Sequence, residues 1–209
     1  VRYRLAIFDS DGTLSDTLPW MRSVFNELAR EHGIRPVPPE EYEAFRDVHG
    51  RELLRRLEVP LWKLPVLVAA MRRRMATYDG PLHPFPGMAE ALRALYGAGL
   101  QLAVVSSNSR ANVERVLGPE LTPLFARFDC GASLFGKASK LRAMARRLGT
   151  PASEAIYIGD EVRDAEAARE AGMAFGAVTW GQQSRAVLLA EEPTLIFEGV
   201  RELPEKLLV

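Results

Sequence analysis

The chain has a single cysteine, few lysines and no excess of charge, and each shortage removes a class of function. Cys130 stands alone, so no disulfide can close within the chain and no thiolate metal cluster can form. That usage predicts a reducing, cytoplasmic setting. Basic and acidic residues balance at 27 each, which leaves no global field to collect nucleic acid, anionic membrane or acidic partners. Any anion must then be bound locally. Long hydrophobic runs are also missing: the opening stretch reaches Asp9 after the four residues Leu5–Phe8, too short for a signal or membrane-spanning segment. The expected protein touches neither nucleic acid nor membrane and works as a monomer or small homo-oligomer.

What is present is an alternation of short apolar runs and amphipathic stretches. Leu5–Phe8, Leu102–Val105 and Ile156–Ile158 read as strands buried on both faces, the mark of a parallel sheet. Ala174–Thr179 and Thr194–Phe197 read as two more. Helices are predicted over Met88–Ala98, Arg110–Leu117, Ser139–Leu148, Val162–Ala171, Ser184–Ala190 and Val200–Leu207. This order predicts an α/β fold, a Rossmann-like doubly wound parallel sheet. At 209 residues, there is room for one core domain carrying an insert.

The first crossover breaks the pattern, because no strand signal occurs between Pro19 and Pro84. Four helices are predicted there instead: Pro19–His32, Glu40–Asp47, Arg51–Glu58 and Leu61–Tyr78. The proline- and glycine-rich stretch Asp79–Gly87 then reads as a return linker. The expected division is a core domain of residues 1–17 and 85–209 with a small all-helical cap of residues 18–84. Arg72, Arg73 and Arg74 fall in a helical pattern without a stacking platform and read as a solvated face.

In an open parallel sheet, residues just past the carboxyl ends of neighbouring strands converge. That rule gathers Asp9, Ser106 and Asp160. The carboxylates of Asp9, Asp11, Asp160 and Asp164 cannot all stay ionised together without a cation, and hard oxygen ligands of this kind suit Mg²⁺. In Phe8-Asp9-Ser10-Asp11-Gly12-Thr13-Leu14, two carboxylates share one turn. Asp9 is placed to attack phosphorus as a covalent nucleophile, and Asp11 to protonate the leaving oxygen and later activate water. Gly12, Thr13, Ser107 and Asn108 lie beside these groups and are expected to contact the substrate. Ser107 or Asn108 is also available to cap the following helix.

The motif Asp-x-Asp-Gly-Thr-Leu resembles the opening motif of the haloacid dehalogenase-like hydrolase superfamily, and three later stretches follow its order. Val104–Asn108 resembles the second motif, which implies that the Ser106 hydroxyl binds the transferring phosphoryl group. Lys137 in Phe-Gly-Lys-Ala-Ser-Lys resembles the third, whose lysine balances the charge of nucleophile and phosphate, and Lys140 is its rival. Gly159–Asp164 resembles the fourth, implying Asp160 as a metal ligand and Asp164 as a supporting carboxylate. Ser10 departs from the usual apolar residue at its position. The helical insert is similar to the cap of the phosphoglycolate-phosphatase-like branch. In that cap the family often places its substrate-selecting loop where His49 and Arg51 stand, at a helix start able to hold an anion.

The resemblance thus implies a Mg²⁺-dependent phosphatase acting on a small-molecule phosphate ester. A dehalogenase has no need of Asp11. A sugar phosphomutase of the same fold would carry a histidine in the hinge, where Trp20 and Met21 stand. A phosphorylation-dependent binding switch would have no cap.

Overall fold

A computed structural model describes residues 3–48, 50–131 and 136–209. Six strands form one sheet: β1 (Leu5–Phe8), β2 (Gln101–Val105), β3 (Phe125–Asp129), β4 (Ala155–Gly159), β5 (Ala174–Val178) and β6 (Leu195–Phe197). Their order is β3-β2-β1-β4-β5-β6, and every pairing is parallel. The chain therefore winds outward in both directions from β1. The crevice at such a switch point opens beyond the carboxyl ends of β1, β2 and β4.

Strand β3 carries no apolar run and is not foreseen from sequence. It lies at the sheet edge and buries only Phe125 fully, so Phe-Ala-Arg-Phe-Asp gives no signature of burial on both faces.

Helices α1 (Leu18–Glu31), α2 (Tyr42–Phe45), α3 (Gly50–Arg56) and α4 (Leu64–Thr77) occupy the first crossover. Short 3₁₀ turns at Pro39–Glu41 and Leu61–Lys63 shorten the expected second and fourth helices from their starts. After the linker come α5 (Met88–Gly97), α6 (Arg110–Leu121), α7 (Lys137–Arg147), α8 (Val162–Ala171), α9 (Arg185–Ala190) and α10 (Glu202–Leu207). Within α6 the helix breaks at Gly118, whose φ of 73° precedes Pro119, just past Leu117 where the sequence predicts its end.

Alternation along the strands splits the core. Ala6 and Phe8 face one side with Met88, Leu92, Leu95, Val113, Leu117 and Leu203, while Leu5 and Ile7 face the other with Leu141, Met144, Ala168 and Leu188. Each fully buried Leu or Ile contributes about 1.5–3 kcal/mol, so both faces anchor β1 rigidly. The inserted helices have a separate apolar cluster that includes Val24, Leu28, Phe45, Leu57, Leu64 and Leu67. A helical cap with a core of its own thus follows the first strand.

Candidate active site

The turn after β1 is built by one carbonyl. Asp9 continues the ladder, its N–H donating to Ile158 O at 2.9 Å, and the Ser10 carbonyl then accepts from the N–H groups of Leu14 and Ser15 at 2.9 and 3.0 Å. Gly12 makes this tight reversal with φ of 78°, and a Cβ there would stand 2.3 Å from an oxygen of Asp160. The Trp180 indole N–H fastens the turn from outside by donating to Thr13 O at 3.1 Å.

The two carboxylates of the turn point at different partners. Asp9 is buried and accepts from the Ser10 N–H at 2.8 Å through one oxygen and from Lys137 Nζ at 3.0 Å through the other. Asp11 accepts from Thr17 Oγ1 at 2.8 Å and from Asn108 Nδ2 at 3.0 Å. Burial first, and the negative charge of Asp9 second, push the Asp11 carboxyl up to about 6 against the two hydrogen bonds. A carboxyl held there can both give and take a proton near neutral pH.

Lys137 opens α7, and its Nζ also donates to Asp164 Oδ1 at 2.6 Å. Burial alone would lower its pKa, but Asp164 and Asp9 together carry it upward and keep the amine charged. Lys140, one turn later, instead pairs with Asp129 at 2.6 Å, half-exposed and away from these carboxylates. Ser106, fully buried past β2, accepts the Asn108 N–H through its hydroxyl oxygen at 3.0 Å. The helix after it is capped by Ser109, whose oxygen accepts from Asn112 N–H, rather than by Ser107 or Asn108. Asn108 divides its amide between the two: Nδ2 donates to Asp11, while Oδ1 accepts from the Ser109 N–H at 2.8 Å and from Asn112 Nδ2 at 2.9 Å, which ties the helix start to the site.

Oxygens of Asp9, Asp160 and Asp164 all lie within 4.8 Å of one another. Asp160 is fully buried, and burial, then Glu161, Asp164 and Asp9, push its carboxyl well above the usual range. Thr13 Oγ1 and the Gln182 N–H hold its two oxygens at 2.9 and 2.7 Å. Three converging carboxylates with one lysine among them leave negative charge uncompensated, and this donor set fits a hard divalent cation. The Asp11 side chain is not one of the three.

Asp9, Asp11, Gly12, Thr13, Ser106, Asn108, Lys137, Asp160 and Asp164 are thus joined by hydrogen bonds or close approach. Ser107 follows Ser106 at the same strand end, but no side-chain bond ties it to them. His49 lies outside the described residues, and so does the side chain of Arg51. Thr17, Trp180 and Gln182 were not foreseen. Thr17 carries no sequence signal beyond its place just before the first helix, and Gln182 acts through its backbone, which leaves no mark in sequence.

Residues 6–178 match the model of the haloacid dehalogenase-like hydrolase family. The chain belongs to that family. It is 35% identical over 198 residues to the phosphoglycolate phosphatase of Synechococcus elongatus, covering 94% of this chain and 93% of that one. The phosphoglycolate phosphatase of Agrobacterium fabrum is 29% identical over 210 residues, covering 95% and 90%. Among solved structures, a haloacid dehalogenase-like family hydrolase from Streptococcus pneumoniae superposes with a TM-score of 0.79 at 20% identity, over 98% of both chains. This chain is accordingly an enzyme, a phosphatase of the haloacid dehalogenase-like hydrolases.

Proposed function

We propose that the chain hydrolyses phosphoglycolate or a closely similar small phosphate monoester, with Mg²⁺, through a phosphoaspartyl intermediate on Asp9. The observation that carries the mechanism is the separation of the two aspartates: Asp9 faces Lys137, while Asp11 is held aside by Thr17 and Asn108. The substrate class comes from the phosphoglycolate phosphatases that match over nearly the whole chain.

An Asp9 oxygen attacks phosphorus and the ester P–O bond breaks, as Asp11 gives its proton to the departing alkoxide. Water then attacks the phosphorus of the acyl phosphate and loses its proton to Asp11. The bond to Asp9 breaks and inorganic phosphate leaves, with Asp11 again protonated. Lys137 offsets the charge of Asp9 throughout, and the Ser106 hydroxyl donates to a phosphoryl oxygen. Asp9, Asp160 and, behind them, Asp164 would hold Mg²⁺, which supplies Lewis-acid neutralisation of the phosphoryl oxygens when bound. Asp11, whose carboxyl faces Thr17 and Asn108, would assist that ion from the same turn through its backbone. Gly12, Thr13, Ser107, Asn108, His49 and Arg51 are assigned to the substrate's surroundings.

Residues 1–17 and 85–209 form the catalytic core in this reading, and 18–84 the cap. No described helix is long and apolar enough to cross a membrane. A cytoplasmic monomer or small homo-oligomer acting on a free metabolite is the setting we assign. The test is phosphate release from a panel of phosphorylated metabolites with Mg²⁺. Phosphoglycolate should head the panel, and Asp9→Asn or chelation should abolish turnover. Turnover that survives both treatments overturns the mechanism, and a different preferred ester overturns the substrate.

A further inference from the structure

The segment after β5, residues 179–184, touches the cap on one side and Asp160 on the other. On the cap side, the Arg46 guanidinium donates to three backbone carbonyls of this loop: Nε to Gln182 O at 3.3 Å, and Nη2 to Thr179 O at 3.4 Å and Gly181 O at 3.3 Å. The loop in turn donates to the cap, once from its backbone and twice from side chains. The Ser184 N–H donates to Arg46 O at 3.0 Å, Gln183 Nε2 to Val48 O at 3.2 Å, and the Ser184 hydroxyl to Asp47. The Arg46 side chain is about three-quarters buried, and its ion-pair partner among the described residues, Glu43 at 3.4 Å, is itself largely exposed. Its role is therefore spent on the loop rather than on a surface pair.

On the core side, the same loop grips Asp160. The Gln182 N–H donates to Asp160 Oδ2 at 2.7 Å, and the Gln183 N–H to Asp160 O at 3.3 Å. Gln183 Oε1 accepts the N–H of Val162, the first residue of α8. Packing is equally close: a Cβ on Gly181 would fall 2.2 Å from Cβ of Asp160. The loop cannot carry a side chain at Gly181 without displacing the carboxylate it is bonded to.

We propose that Arg46 is a positioning residue, which by clamping loop 179–184 to the cap sets the orientation of the Asp160 carboxylate. Cap and metal site are thereby coupled through a run of backbone groups. Guanidinium is suited to this because its planar fork reaches several carbonyls at once, which an ammonium point charge cannot do. The inference rests on the reading of Asp160 as a metal ligand. Partners that orient a ligand commonly matter by tenfold or more in metal affinity.

The test is Mg²⁺ titration by calorimetry of the full chain, alongside kcat and KM and a thermal melt. Arg46→Ala is expected to weaken Mg²⁺ binding by roughly tenfold, with Arg46→Lys falling between it and the parent. Glu43→Ala, which removes only the exposed partner, should leave Mg²⁺ affinity unchanged. Gln183→Ala, cutting the loop from its other side, should weaken it in the same direction, so the inference does not depend on one variant folding. Unchanged affinity in folded Arg46→Lys and Gln183→Ala overturns the clamp. If instead the parent binds no Mg²⁺, or Asp160→Asn binds it as well as the parent does, the metal reading fails.

Discussion

Lys137 Nζ stands 3.0 Å from Asp9 Oδ2, and the same amine reaches Asp164 at 2.6 Å, so one buried cation spans two buried carboxylates. Removing it takes from both acids the cation that touches them and leaves only the more distant charge of Arg163. Breaking a buried pair from one side costs about 3 kcal/mol or more. Lys137→Met should lose that much in urea unfolding without metal, and lower phosphate release at least about 100-fold. Lys140→Met removes only a half-exposed pair with Asp129 and should change activity less than about twofold. The opposite ranking of the two variants would place the amine elsewhere.

Gly12 gives a second comparison. Alanine there meets two obstacles, the left-handed φ of 78° and the Asp160 carboxylate 2.3 Å away. Gly33, with φ of 63°, would meet nothing within 4 Å. Each substitution should cost about 1 kcal/mol or more of backbone strain. Only Gly12→Ala should also weaken Mg²⁺ binding and turnover. Equal loss of activity in the two variants would show that general destabilisation, not Asp160, is responsible.

How much of this was legible in the chain depends on which atoms do the work. Strands β1, β2 and β4 announce themselves because burial on both faces demands unbroken apolar runs, and Asp9, Ser106 and Asp160 follow at their ends. Edge strand β3 hides because only Phe125 is fully buried. Lys137 and Lys140 are rivals in sequence, because both stand in the stretch Phe-Gly-Lys-Ala-Ser-Lys before the fourth motif. The fold separates them by starting α7 at Lys137, directly after left-handed Gly136, so that its amine meets Asp9 and Asp164 while that of Lys140 meets Asp129. Arg46 gave no signal at all, because its partners are carbonyl oxygens that any residue supplies.

Cys130 should be unreactive. Burial, and next the charge of Asp129, push its thiol up to about 12. At pH 8 roughly one part in ten thousand is then thiolate, against about a quarter for a free cysteine. Alkylation by iodoacetamide, followed by intact mass, should be about a thousandfold slower in the folded protein than in urea. Because the folded thiol titrates so high, the rate should rise about tenfold per unit between roughly pH 7 and 10 with no plateau. A plateau near pH 8.5 would mean that the thiol is solvated.

Asp11 should reveal its role through the leaving group. Its carboxyl is bonded to Thr17 and Asn108 and lies outside the carboxylate cluster, so Asp11→Asn should keep Mg²⁺ binding close to that of the parent. What the amide cannot do is deliver a proton to the ester oxygen. A departing alkoxide needs that proton, whereas a nitrophenolate leaves without it. Asp11→Asn should therefore slow phosphoglycolate cleavage by roughly 100- to 10,000-fold, the usual range for general acid catalysis, and slow nitrophenol release far less. With nitrophenyl phosphate the variant should give a burst of one nitrophenol per site and then stall, since water attack on phospho-Asp9 lacks its base. Rapid-quench kinetics reads both phases. Equal slowing of the two esters, without a burst, would remove Asp11 from proton transfer and leave it a role in holding the turn.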